Sequence, residues 1–224
     1  MNTASEIANG EKQGLVEEVL TKEEQASLTP DRVIALLTEG NDRFVSGEVT
    51  LRNHNEQIRR AVAGQYPKAV VLSCLDSRIP VEDVFDRGIG DMFVARVAGN
   101  TINVDILGSM EFACKVAGAK LVVVMGHELC GAVMGAIDGV QMGHITALLG
   151  KIRPATLRTD GFEGARTSAN TEYVRWVAEQ NVRLGVERVR AESAILAEME
   201  QAGEIKIVGA MYAMETGEVE FLTA

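Results

Sequence analysis

The stretches 70–72 and 121–125 are continuous apolar runs with no polar residue alternating through them. A strand with one wet face alternates, whereas a strand covered on both faces reads as an unbroken apolar run, as in a parallel sheet flanked by helices. Segments 69–74, 92–97, 121–125 and 205–213 read as such strands, and 218–222 alternates as an edge strand after the Thr216-Gly217 turn. Helical spacing lies between them. This order predicts an α/β fold: a mainly parallel central sheet of four strands plus an antiparallel edge strand, with helices on both faces.

The helix signals vary in strength. Thr29-Pro30-Asp31 supplies a cap, a first-turn proline and an acid at the positive helix end, and Gly47 supplies a stop. A short helix is expected over 57–62, with His54 in the loop before it, and another after Pro80. Asn103 caps a helix that Gly118 ends, and a further helix starts near Ala132. Segment 150–170 reads as a long polar loop. The longest helix is expected from Thr171 to about Glu200, with an Arg183/Glu187 pair one turn apart.

With 224 residues, 46% of them apolar, the chain suits one packed domain over 29–224 and a polar N-terminal arm over 1–28. The arm is expected to be disordered or to form a helix on another surface, such as a partner subunit. The net charge of −10 argues against nucleic acid and anionic membrane, which both require basic surface. No stretch approaches the ~20 apolar residues of a membrane span. Three cysteines make no disulfide framework. The polar, acidic start carries no signal-peptide pattern, so a cytoplasmic location is expected; a periplasmic one would follow if a leader had been cleaved.

The chemistry sits at two strand ends. The first strand ends in Cys74-Leu75-Asp76-Ser77-Arg78, and the third in His127, with Cys130 three residues on. In open α/β sheets ligands bind beyond the carboxyl ends of the strands. If these strands are adjacent, two thiolates and an imidazole converge, a ligand set that suits zinc and leaves a fourth position open. Zinc lowers the pKa of bound water and makes a nucleophile of it. Asp76 can orient that nucleophile, and Arg78 can hold Asp76 by a bidentate pair. Gly131 opens a helix directly after a ligand and offers a backbone N–H to an anion.

In order and spacing, VVLSCLDSR, GDMFVARVAGN and VVVMGHELCGAV resemble the β-class carbonic anhydrases over roughly residues 57–152. The resemblance implies zinc on Cys74, His127 and Cys130, with Asp76 and Arg78 as the catalytic dyad, and reversible hydration of carbon dioxide to bicarbonate and a proton. It further implies that Gln65, Phe93 and Phe112 line the substrate pocket. Gln65 and one aromatic wall would come from the neighbouring subunit, so a homodimer, or a tetramer or larger assembly of dimers, is expected. The pocket resembles that of the plant-like branch. Val71 stands where the branch with a regulatory bicarbonate site has tryptophan. So no such site is expected here, although Arg96 matches that branch's arginine.

Two other readings stand beside this one: a hydrolase of carbon disulfide or carbonyl sulfide on the same ligands, and a structural or sensory zinc protein closed by Asp76 as fourth ligand. In the enzyme, Asp76 is expected to leave zinc and pair with Arg78 above neutral pH. Cys114 reads as core, His54 and His144 as surface, Glu128 as a solvent-facing acid, and Arg153, Arg158 and Arg166 as a solvated loop face.

Overall fold

The computed structural model describes residues 14–222. The sheet has five strands: β1 (Ala69–Ser73), β2 (Met92–Arg96), β3 (Leu121–His127), β4 (Lys206–Tyr212) and β5 (Val219–Phe221), in spatial order β2-β1-β3-β4-β5. All neighbours are parallel except β4 and β5. The expected architecture is therefore the observed one. β1 and β3 pair from Ala69 with Leu121 to Leu72 with Val124, and both leave the sheet at the same end.

The period of two sorts the apolar runs onto two cores. Val70, Leu72, Val122 and Val124 face one layer; Val71, Leu121, Val123 and Met125 face the other. The first core is roofed by α5 (Val104–Glu111), α6 (Gly131–Ile137), α7 (Gly143–Thr156), α8 (Thr171–Glu192) and α9 (Ala194–Gln201). The second is closed by α2 (Pro30–Ser46) and α4 (Val81–Val84), through Val33, Leu37, Val81 and Val84. With both faces covered, each strand residue removes apolar surface from water at roughly 25 cal/mol per Å².

Where a cap was recognised in sequence, the element matches. Thr29 accepts from the Arg32 N–H, and Gly47 ends α2 in the left-handed region at φ 75°. Several boundaries differ. α3 runs His54–Ala61, because the Asn53 side chain captures the Glu56 N–H; His54 is thus helical rather than in a loop. β3 continues through His127. The first third of the expected loop 150–170 is the end of helix α7, where Leu149, Ile152 and Ala155 are buried. That burial outweighs the weak propensity of Gly143 and Gly150 and the one intrahelical bond, to the Gly150 carbonyl, that Pro154 cannot donate. The expected helix from Thr171 to Glu200 is two helices. Ser193 ends α8 and caps α9, its Oγ accepting from Leu196 N–H and donating to Glu111. Arg183 pairs with Glu179 rather than Glu187. Glu187 instead takes Arg158 in a two-pronged pair, so Arg158 ties the 157–170 connection to α8.

Residues 14–28 pack on their own chain. Val16 bridges to the 51–53 segment, and a capping box at Thr21 starts α1 (Lys22–Ser27). Gln25 is buried, its Nε2 donating to the Pro67 and Ala117 carbonyls at 2.7 and 2.8 Å. The first thirteen residues of the expected arm lie outside the described residues. No helix among the described residues is long and apolar enough to cross a membrane.

Candidate metal centre

Three chain segments meet at the carboxyl end of the sheet. Cys74 follows β1 directly, His127 is the last residue of β3, and Cys130 is the N-cap of α6. The turn between the last two is tight, with Leu129 in the left-handed region at φ 52°. Cys74 Sγ and Cys130 Sγ lie 4.0 Å apart, and the donor atoms of all three residues fall within 4.8 Å of one another, fully buried. A tetrahedral zinc with Zn–S near 2.3 Å separates two sulfurs by about 3.8 Å.

The imidazole supplies the test of fit. His127 Nδ1 is 2.7 Å from the Glu128 carbonyl and donates to it, which leaves the Nε2 lone pair facing the thiols. Nε2 is buried with no hydrogen-bond partner. An orphaned buried polar atom costs about 1–3 kcal/mol, and a cation at this point would remove that cost. The thiols agree. Contact with Cys130 draws Cys74 well below the ordinary thiol value, while the same contact and burial push Cys130 up. Without a cation the pair thus keeps a proton on Cys130, and ionising both thiols this close together needs a cation between them. Cys114, by contrast, is pushed up to about 12 by burial alone and is inert core.

Beside the cluster, Asp76 is held by Arg78 in a bidentate pair, Nε to Oδ1 at 2.9 Å and Nη2 to Oδ2 at 2.7 Å. The Arg78 backbone N–H adds a third bond at 3.0 Å. The guanidinium holds this carboxyl well below the usual range, so it is ionised at neutral pH. Asp76 Oδ2 stands 4.0 Å from His127 Nε2.

Some supporting groups carried no local sequence signal. Arg96, at the end of β2, donates to the Cys74 and Asp76 carbonyls and so braces the loop bearing both. The Gly99 N–H donates to Cys74 Sγ at 3.3 Å. Glu128 is not merely solvent-facing: it accepts from Met214 N–H and pairs with Arg175, tying the β3–α6 turn to the β4–β5 turn.

Of the expected pocket residues, Phe93 and Phe112 meet edge to face with ring centroids 6.4 Å apart. They wall an apolar groove of about 770 Å³ along β2 and α5, with Val70, Arg96 and Ile106. Phe112 is 53% exposed. Gly131 opens α6, and the space where its Cβ would sit is empty. Gln65 is not brought to this cluster. It is exposed and precedes β1, whereas Cys74 follows it, so the strand's length of about 17 Å intervenes.

A family model described as carbonic anhydrase matches residues 69–219. The chain belongs to the β-carbonic anhydrase family. It is 35% identical over 189 residues to carbonic anhydrase 2 of Mycobacterium tuberculosis, covering 81% of this chain and 87% of that protein. It is likewise 35% identical to a carbonic anhydrase of Mycolicibacterium smegmatis, over 82% of this chain and 89% of the relative. Among solved structures, a tetrameric β-carbonic anhydrase of the ascomycete Sordaria macrospora shares the fold, with a TM-score of 0.69 at 20% identity, over 86% of this chain and 98% of that one. The chain is thus an enzyme of the carbonic anhydrase class, and the family match spans Cys74, Asp76, Arg78, His127 and Cys130.

Proposed function

We propose that the protein holds zinc on Cys74 Sγ, His127 Nε2 and Cys130 Sγ and interconverts carbon dioxide and water with bicarbonate and a proton. The observation that carries this is the buried, unpartnered His127 Nε2 set against two buried thiols, with an ionised Asp76 beside it. Zinc bound there supplies a Lewis acid that activates water at neutral pH. Asp76 accepts a hydrogen bond from the attacking water and aims it. Arg78 keeps Asp76 ionised and turned toward itself, which favours an open fourth position over the closed, non-catalytic arrangement. The apolar wall of Phe93 and Phe112 admits an uncharged gas, and the Gly131 N–H faces the product anion. Gln65 is supplied by the second subunit of a homodimer, since its own chain holds it a strand's length away. Val71 is buried within the sheet and Arg96 is engaged by two carbonyls, which supports the absence of a separate regulatory bicarbonate site.

Stopped-flow hydration of carbon dioxide tests the reading. The zinc-loaded protein is expected to turn over, chelation to abolish turnover, and Asp76→Asn to lower kcat about 10²-fold or more with zinc retained. A fully zinc-loaded dimer with no rate above buffer would refute it, and sulfide release from carbon disulfide in its place would reassign the substrate.

A further inference from the structure

Asn181 lies in the middle of α8, 5% exposed, on the face whose neighbours Ala178, Val182 and Gly185 pack against the sheet. An amide is a poor choice there. It is a weak helix former, and its desolvation has to be repaid by a hydrogen bond. Asn181 Nδ2 makes one, to the Gly99 carbonyl at 2.9 Å. Gly99 in turn points its N–H at Cys74 Sγ. Gly99 and Asn100 are both left-handed, at φ 63° and 42°; this is free for the glycine, but the asparagine holds it only because its surroundings fix the turn. The turn is also wedged from the other side, because a Cβ on Gly99 would meet Ile152 Cδ1 of α7 at 2.5 Å.

We propose that Asn181 is a positioning residue for the metal site: through Gly99 it fixes the N–H that orients the Cys74 thiolate toward the metal. The inference rests on the zinc reading above. The bond from Asn181 clamps the strained turn at its carbonyl, and the turn's N–H restrains the sulfur. Arg96 holds the carbonyl of the same cysteine from the other flank. Side chain and backbone of Cys74 are thus both tied before any metal arrives. Outer-shell bonds of this kind typically change metal affinity or activity 10- to 100-fold.

The choice of variant matters. A cavity of about 10 Å³ adjoins Asn100, Thr101 and Asn181, room for about one water, so Asn181→Ala would let water stand in for the amide. Asn181→Leu fills the space without a donor, and Asn181→Asp sets one acceptor against another. Both are expected to weaken zinc, measured by chelator competition, about 10- to 100-fold. Both are also expected to shift the sulfur-to-metal charge-transfer band of the cobalt-substituted protein to longer wavelength, because the thiolate loses a donor. Val189→Ala, buried in the same helix two turns on, is the stability control and should leave affinity and band unchanged. In the cadmium-113-loaded wild type, a scalar coupling between the metal and the Gly99 amide proton is expected, and this does not depend on any variant folding. Wild-type affinity and band in both Asn181 variants, equal losses in Val189→Ala, or no Gly99 coupling would overturn the proposal while leaving the zinc reading intact. A wild type that takes up no zinc overturns both.

Discussion

Two aspartates, each held well below the usual carboxylate range, do different work because of what surrounds them. Asp76 has one arginine, a partly open side, and His127 Nε2 at 4.0 Å. Asp86 is closed on every side. Burial pushes its carboxyl up, but bonds from Arg52, Thr50 and Arg43 overcome that. Arg43 Nε reaches Oδ2 and Arg52 Nη1 reaches Oδ1, while Thr50 adds its N–H and hydroxyl. We therefore expect Asp86→Asn to lose about 3 kcal/mol at pH 7, since two arginines would be left uncompensated. Its folded pKa lies below the unfolded value of about 3.9, so its stabilisation is complete above that pH and is lost as pH falls through the folded value. Denaturant titrations at pH 7 and pH 3 should show the wild type losing more stability than the variant; equal losses would contradict this. The two acids also differ in how far they could be read from sequence. The Asp76 partner is two residues away in a recognisable pattern, whereas the Asp86 partners come from 34 to 43 residues upstream.

At the scale of elements, what could be read were signals contained in one turn of chain. Thr29, Asn103 and Gly47 act locally and set their helix ends, while Gly118, at φ 81°, stops the wider π-helical turn Phe112–Val116 that carries on from α5. α7 carries no such local signal, because its stability comes from Leu149, Ile152 and Ala155 meeting a core that no local window contains. α2 holds a converse case. Gly40 sits inside the helix, where alanine would be favoured by about 1 kcal/mol on propensity alone. A Cβ there would run into the Phe85 carbonyl and come within 2.6 Å of Arg87 Nη2. The neighbours are backbone and a half-buried guanidinium held by the Phe85 and Leu36 carbonyls, so the clash wins. Gly40→Ala should destabilise by about 2 kcal/mol and lower Tm by about 4–8 °C. A raised Tm would show that the helix shifts to admit the methyl.

At the scale of the molecule, the candidate metal cluster and the pocket are unequal in completeness. Cys74, Asp76, Arg78, His127 and Cys130 converge within one chain. Gln65 does not, and β2 pairs only with β1, so its outer edge has no strand among the described residues. The exposed Phe112 and Val104 lie along that side. Mixing two inactive variants tests whether the missing side is a second copy. In a hybrid of Asp76→Asn with Gln65→Ala, one site combines both lesions and the other has neither. If Gln65 acts across the dimer, refolding the two variants together should restore activity well above either parent. Mixtures no more active than the parents would place Gln65 in its own chain's site or outside catalysis.

Apolar runs, caps and the spacing of Cys74, His127 and Cys130 were determined by the sequence itself, because periodicity and turn chemistry act over a few residues and specify which strand ends carry the candidate ligands. Sequence also sufficed for the Asp76–Arg78 pair, which closes over two residues. Only the tertiary structure decided what braces the site: Arg96 on the Cys74 loop, Asn181 on Gly99, Glu128 on the Met214 turn. Those contacts join segments tens of residues apart, and a buried amide in a helix becomes intelligible only when the carbonyl it satisfies is in view.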